Sequence, residues 1–512
     1  MNSMTSELRR AIAKILSTGL QISPDAVDAL ARRKDAFEVA CKVIEKIGTL
    51  DEKPIVLTAE LLFKLIQEEE AKREEEVIDA EKIPVDEEVI FDPTQVINPD
   101  GSSEGFISYF LSRYQKIKKI LLRERFDVRN TITISQIKKW AQRGRGVVKI
   151  VCMVTDKRKT AGGKILLELE DPTGSIRAVV NEKDPNVLSK AEKVIRDEVL
   201  CIEGQLVGDI IIVSDIIQPE IPIPSIRARE SKPRILAALI SDLHVGSKYF
   251  MRSAFNRFLL WINGRLGVEK YRKLARQVKY LIIAGDIVDG IGVYPGQEKE
   301  LLVRDIKKQY KMAAEYLAQI PGHIRIIIIP GNHDTTRQAL PSPAIFRDYA
   351  EAIYKLPNVR VLGDPAYIKL HGALLLVTHG RSLDDILTTT PGVRYDRPAE
   401  VMIELLRRRH VAPVYGGRTQ IAPEKEDYLV IDKIPDIFHA GHLHTFGYLN
   451  YRGVIVVNSG AWQEQTDYMK SMGIKPDPGK VTLVDLANKK VHALLDFARE
   501  RSIEMLSSLN TL

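Results

Sequence analysis

After Pro233 the chain falls into a rhythm that leaves few folds open. Runs of Ile, Leu, Val and Ala occupy 234–240, 280–284, 324–329, 359–362, 373–377, 437–440, 454–458 and 481–485, with helical periodicity between them. Runs without polar alternation are strands buried on both faces, so this part predicts a layered α/β domain. Five of the runs end alike. Ser241-Asp242-Leu243-His244 follows the first and Gly285-Asp286-Ile287-Val288-Asp289 the second. Gly331-Asn332-His333-Asp334, Thr378-His379-Gly380 and Gly441-His442-Leu443-His444 follow three others. Open α/β sheets place ligands at the carboxyl ends of their strands. One histidine there is an ordinary core or capping residue, but five of the chain's ten sit in these elements.

The residues before Pro233 read differently. Leu8, Ile12, Ile15 and Leu16 recur at helical spacing, and Ser23-Pro24-Asp25 opens a second helix, so 1–66 predicts a small helical domain. Between Glu68 and Asp92 twelve acidic residues stand against three basic ones; this segment carries about −9, and the rest of the +7 chain about +16. With the turn-rich residues after it, 67–104 predicts a mobile acidic linker. A helix follows from Phe106. From Thr131 to Pro222 the period drops to two, giving about five short strands with one helix near 187–195. Such a pattern predicts an OB-type barrel over 105–225, a platform for single strands or simply a packing module. The α/β domain takes 226–500 and an amphipathic tail 501–512. Three cysteines without metal or disulfide spacing suit a reducing cytoplasm, and no run of about 18 apolar residues offers a membrane span.

Asp, His and Asn without Cys favour a borderline-hard divalent ion such as Mn²⁺, Fe²⁺ or Zn²⁺. Seven such ligands with one bridging carboxylate suit two ions about 3.5–4 Å apart, a geometry that serves phosphoryl transfer. Taken in order, the five elements resemble the calcineurin-like metallophosphoesterase superfamily. That resemblance implies a four-layer α/β sandwich, one ion held by Asp242, His244, Asp286 and His444, and a second by Asp286, Asn332, His379 and His442. It further implies that His333 is a general acid or transition-state stabiliser outside the ligand set and that Asp334 orients it. The family pattern does not make Asp289 a ligand, and its place in the loop suits support of a ligand or capping.

Phe106-Ile107-Ser108-Tyr109-Phe110-Leu111-Ser112-Arg113-Tyr114, the barrel, His379-Gly380-Arg381-Ser382, Arg407 to Arg418 and Asn458 to Gln463 narrow the likeness. Over 106–485 the chain resembles the small-subunit family of archaeal family-D DNA polymerases. The resemblance implies a 3′–5′ exonuclease that proofreads mismatched or single-stranded 3′ ends beside a large polymerising subunit. Its partners would be that subunit, single-stranded and primer-template DNA, and through the complex a sliding clamp or primase. Two divalent ions are implied, Mn²⁺ first, with Fe²⁺, Zn²⁺ and Mg²⁺ as alternatives. Competing readings are a non-catalytic scaffold and a phosphodiesterase with a non-DNA substrate. Arg381, Lys157, Arg158 and Lys159 are candidate phosphate contacts; Arg381 could equally pair with Asp384 or Asp385. Arg407 to Arg409 suit the C-terminal end of a helix without any DNA. Trp462 and Tyr468 are candidates for base stacking, for the core or for a subunit interface.

Overall fold

The computed structural model describes residues 6–31, 35–48, 54–63, 65, 79–99, 101–141, 146–182, 184–223, 234–499 and 504–505. They belong to two compact units, Met1–Ile78 and Asp79–Leu512. In the first, helices Ser6–Leu16, Pro24–Ala31 and Ala36–Gly48 bury Leu8, Ile15, Leu30, Val39 and Val43. Spacings of three and four put these side chains on one face of each helix.

The second unit contains the barrel and the sandwich. Strands Gly146–Lys159, Ile165–Asp171, Gly174–Val180, Val199–Val207 and Ile210–Ile217 close into a barrel. The third and fifth pair in parallel, and helix Pro185–Glu192 connects the third to the fourth, an OB-type order. Ile165, Leu167 and Leu169 point inward while their neighbours are half-exposed, as a period of two requires.

Two sheets pack face to face, built from the part of the chain that follows the barrel and from one strand, Glu87–Phe91, that precedes it. One runs in the order Val359–Val361, Arg325–Ile329, Val278–Ala284, Leu236–Ile240, Lys480–Asp485, Lys490–Asp496, Glu504–Met505. The other runs Gly447–Tyr451, Val454–Asn458, Ile437–Ala440, Ala373–Val377, Ala366–Leu370, Glu87–Phe91. Ala237, Leu239, Ile282 and Ile327 meet Ile368, Leu375, Ile437 and Val457 between them. Alternate residues Leu236, Ala238, Ile240 and Ile283 turn outward onto helices Arg252–Ile262 and Ile306–Leu317. Phe438 and Val456 do the same beneath helix Pro398–Arg408. The result is the expected four-layer α/β sandwich, and coverage on both faces is why its strands carry no polar alternation.

Basic residues join helix Ser103–Glu124, the barrel and the sandwich. Arg113, fully buried, donates to Asp427 at 2.7 Å, to the carbonyls of Asp197 (3.0 Å) and Pro413 (2.6 Å), and to the Tyr109 hydroxyl (3.0 Å). Arg408 pairs with Glu198 at 2.9 Å and donates to the Lys193 carbonyl at 2.6 Å; Arg409 pairs with Glu124 at 2.7 Å. Arg407 and Arg408 lie in the last turn of their helix, as expected, and Arg408 and Arg409 are in addition internal fasteners.

The stretch 67–104, expected from its charge to be a mobile linker, is built differently where it is described. Glu87–Phe91 is an edge strand antiparallel to Ala366–Leu370. Glu87 is buried between Arg325 (2.9 Å) and Arg360 (2.6 Å), and Asp92 accepts from the Thr94 and Gly363 amides. Charge counting along the sequence hides this, because the neutralising arginines lie more than two hundred residues away. Residues 66–78 lie outside the described residues. Phe497, just ahead of the tail, is core, packed on Trp261 and Trp462; of the tail 501–512, all but 504–505 lies outside the described residues.

Candidate metal centre

Each motif sits just past the carboxyl end of its strand. Asp242, Asp286 and Asn332 come from one sheet and His379, His442 and His444 from the other, so the centre straddles the top of the sandwich. The backbone there is strained. Asp242 (φ 53°), His244 (51°), Asp286 (53°), His442 (73°) and His444 (57°) all adopt the left-handed conformation. For residues other than glycine each such turn costs about 1–3 kcal/mol, and it persists only where the surroundings enforce it. Here the loops hold one another: Asp242 N–H donates to the Gly285 carbonyl, and the loop that carries His442 and His444 is tied in by Gly441 N–H donating to the His379 carbonyl. A side chain at Gly331 would overlap the Asp286 carboxylate, and one at Gly441 the Asp242 carboxylate. Both glycines are needed for close approach.

Two donor sets converge on Asp286. Its Oδ2 lies 3.8 Å from His244 Nε2 and 3.2 Å from His379 Nε2. On the first side His444 Nε2 is 3.0 Å from His244 Nε2 and 3.3 Å from Asp242 Oδ1. On the second, Asn332 Oδ1 is 3.0 Å from both His379 Nε2 and His442 Nδ1. Among the described residues, Asp242/His244/His444, His244/Asp286/His333 and Asp242/Asp286/His379 each bring their ligand atoms within 4.8 Å of one another, close enough to hold a metal ion.

The far nitrogens of three rings are held by oxygen acceptors. His244 Nδ1 faces Asp289 Oδ1 at 3.1 Å, His379 Nδ1 donates to the Ala284 carbonyl at 2.8 Å, and His442 Nε2 faces Asp384 Oδ2 at 3.2 Å. Placing the proton on the outer nitrogen leaves a lone pair toward the centre, the tautomer a metal ligand needs. Charge agrees with this chemistry. Burial would push the His379 imidazole down, yet Asp286 and Asp242 outweigh it and raise it to about 10. Burial would likewise raise the Asp286 carboxyl, but His379 and His333 hold it well below the usual range. A site whose buried carboxylates draw a proton onto imidazole draws a divalent cation by the same attraction. Oxygen and imidazole donors in two overlapping sets fit two borderline-hard ions.

The other expected residues fall into place unevenly. His333 packs edge-on against His244 with ring centres 4.6 Å apart, and its Nδ1 donates to the Asp289 carbonyl at 2.6 Å. Burial pushes its imidazole down. Asp334, expected to orient His333, does not touch that ring: it accepts from the Gly331 and Ile287 amides and the Tyr310 hydroxyl. It fixes the loop, and burial beside Asp286 raises it to about 6. Asp289 supports His244, as the sequence suggested, and accepts from Gln463 at 3.0 Å. Arg381 is no free phosphate clamp. It is buried, bonded to the Gln338 carbonyl and to Ser342 Oγ at 2.7 Å, and faces Asp364 at 4.0 Å rather than Asp384 or Asp385. Lys157, Arg158 and Lys159 lie on the barrel and bond to groups of the barrel itself. Lys157 donates to the Glu192 and Val194 carbonyls, while Arg158 and Lys159 are exposed beside Asp156 and Glu192. Trp462 is core; Tyr468 is on the surface. The roles of Asp384 at His442 and of Gln463 at Asp289 were not assigned from sequence, and only folding reveals them.

Comparison with known proteins matches this picture. The profile of the B-subunit family of DNA polymerases alpha and epsilon matches residues 237–448, which hold every ligand element. The chain is also 40% identical to the DNA polymerase II small subunit of Methanothermobacter thermautotrophicus over 494 residues, 96% of this chain and 100% of the relative. It belongs to the archaeal DNA polymerase II small-subunit family. Another member, from Archaeoglobus fulgidus, is 41% identical over 477 residues, 93% of this chain and 92% of that one. The small subunit of Pyrococcus furiosus is 40% identical over 430 residues, 81% and 69% of the respective chains. Membership thus extends beyond 106–485, where the motif resemblance rests, to nearly the whole chain. The described residues include no helix long and apolar enough to cross a membrane.

Proposed function

We propose that the chain is the proofreading small subunit of a heterodimeric archaeal DNA polymerase, a two-metal 3′–5′ exonuclease acting on mismatched or single-stranded 3′ ends beside a large polymerising subunit. The observation that carries this reading is the pair of donor sets meeting at Asp286 Oδ2, 3.8 Å from His244 Nε2 and 3.2 Å from His379 Nε2.

Asp242, His244, Asp286 and His444 would hold one ion, and Asp286, Asn332, His379 and His442 the other. When bound, such ions supply Lewis-acid stabilisation of the phosphoryl transition state and a water nucleophile at neutral pH. The remaining work falls to the chain. Asp289, Asp384 and the Ala284 carbonyl hold the imidazoles in the lone-pair-inward tautomer. The Asp289 carbonyl accepts the Nδ1–H hydrogen bond of His333 and aims the ring; the imidazolium form, its second proton taken from solvent, gives the Nε2 proton to the departing 3′ oxygen of the penultimate nucleotide and returns to neutral imidazole. The barrel supplies a surface for the frayed strand, with Arg158 and Lys159 as exposed cations.

The test uses a 3′-labelled mismatched primer with Mn²⁺, offered to the full chain alone and with its large subunit, beside a generic phosphodiester. Release of 5′-mononucleotides supports the reading, and Asp286→Ala should abolish both release and metal binding. No nucleotide from either preparation overturns it, and hydrolysis of the generic ester alone favours a non-DNA substrate.

A further inference from the structure

Just outside His333 lies an aromatic surface that the metal chemistry does not use. Tyr294 stands with its ring centre 6.1 Å from that of His333. Tyr468 stacks on Tyr294 with centres 5.1 Å apart and planes 28° from parallel. An aromatic line therefore runs from His244 through His333 and Tyr294 to Tyr468, from the centre outward. Its outer member is 46% exposed. Met472, one turn beyond Tyr468 at the end of the same short helix and 54% exposed, and Ile291, 50% exposed, widen the apolar rim.

The stack is built and held. Glu300, itself buried, accepts from the Tyr294 hydroxyl at 2.6 Å through one oxygen. Through its other oxygen it accepts from the Asp467 amide at 3.1 Å, at the first residue of the helix that carries Tyr468. Thr466 caps that helix by accepting from Met469 N–H at 3.1 Å. One carboxylate thus sets both rings. A large aromatic side chain held 46% exposed beside a reaction centre, as Tyr468 is, costs solvation unless something flat covers it.

We propose that Tyr468, backed by Tyr294, is the stacking site for the unpaired base at the 3′ end of the strand. The occupant is a nucleobase rather than a protein side chain, because the Tyr294–Tyr468 stack stands next to His333, the group proposed to protonate the departing 3′ oxygen. A base stacked there has left its duplex partner, so the site selects frayed and mismatched ends without reading sequence, every base having a π-face. This inference rests on the exonuclease reading and names the part of the substrate that reading leaves free.

The test uses the full chain with its large subunit and two single strands, identical except that one ends in an abasic 3′ nucleotide. The wild type should prefer the base-bearing end, and Tyr468→Ala should lower that preference by about five- to 150-fold, the range of one base–aromatic stack. Tyr468→Trp should retain it. A 2-aminopurine placed at the 3′ terminus reads the stack without catalysis: wild type and Tyr468→Trp should quench it on binding, and Tyr468→Ala should not. Equal losses on both strands, or unchanged quenching in Tyr468→Ala, overturn the stacking site while leaving the exonuclease standing. Quenching by Tyr468 in a protein that releases no nucleotide from either strand would keep the stacking site and remove the exonuclease.

Discussion

Asp289→Asn isolates what a single supporting carboxylate does for the centre. Asp289 is fully buried and accepts at 3.1 Å from the His244 ring, at 3.0 Å from Gln463 Nε2 and at 3.3 Å from Gln297 Nε2. Asparagine keeps the volume but replaces one acceptor oxygen by an NH₂ group in a nest of donors. Oδ1 accepts from His244 and Gln463 and Oδ2 from Gln297, so the NH₂ group displaces one of these two sets of bonds. Where it faces Oδ1's partners, the His244 proton loses its acceptor and the imidazole is free to turn its N–H inward. Losing a supporting partner of this kind weakens metal binding by about 10–100-fold, or ~1.4–2.7 kcal/mol. Because Asp289 is sealed from solvent that could replace the lost oxygen, the upper part of that range is expected. The effect falls on the ion held by His244, and the set at His379 and His442 keeps its own acceptors. The assay is exonuclease rate against Mn²⁺ concentration on a mismatched primer, with calorimetric titration alongside. The half-saturating Mn²⁺ should rise by that factor while the plateau recovers to within a few-fold of the wild type. An unchanged half-saturation refutes the tautomer argument, and a plateau that stays depressed at saturating Mn²⁺ shows that Asp289 acts in the chemistry or the fold instead.

His333→Ala should remove hydrolysis while metal content stays at about two ions per chain, as two-metal geometry requires; elemental analysis of the purified variant decides, and a loss of metal would make His333 a ligand. Arg113→Met leaves Asp427 buried with only His410 and the Leu429 amide as partners and no guanidinium beside it, and should destabilise the second unit by about 3–5 kcal/mol, the cost of an orphaned buried charge, seen as a lower urea midpoint. Restoring the loss with Asp427→Asn in the same chain would separate charge from packing. His410, buried against Asp427 and Arg113, is pushed down to about 4 by burial. The unfolded chain takes up that proton near pH 6.5 and the folded chain resists it, so stability falls as pH drops from 6.5 toward 4, by about 3 kcal/mol in all. His410→Gln should flatten this slope in urea melts between pH 7.5 and 4.5, and an unchanged slope assigns it to other groups.

The convergence of the candidate ligand residues was legible because each follows an apolar strand directly, so local pattern and tertiary position coincide. The barrel was legible for a related reason, its period of two with a helix at one fixed place. What was not legible depends on partners remote in sequence. Glu87 looks solvated until Arg325 and Arg360 arrive beside it, and Arg408 looks like a helix terminus until Glu198 comes from the barrel. Asp384 follows His379 by five residues with no motif, yet it holds His442. Asp334 stands next to His333 in the chain but points away from it, because the turn commits its carboxylate to the Gly331 amide. Adjacency in sequence suggested a pairing that the local turn does not permit.

The split origin of the ligands has a mechanical corollary. Asp242, His244, Asp286 and Asn332 hang from one sheet, and His379, His442 and His444 from the other. An ion shared across that seam is a cross-link between two slabs whose facing surfaces are otherwise mostly aliphatic. Occupancy should therefore raise the melting temperature by mass action, about 2.7 kcal/mol at a hundredfold excess over Kd. In the other direction, anything that slides one slab against the other, by even part of a side-chain row, would pull the donor sets apart and silence the proposed nuclease without touching a candidate ligand.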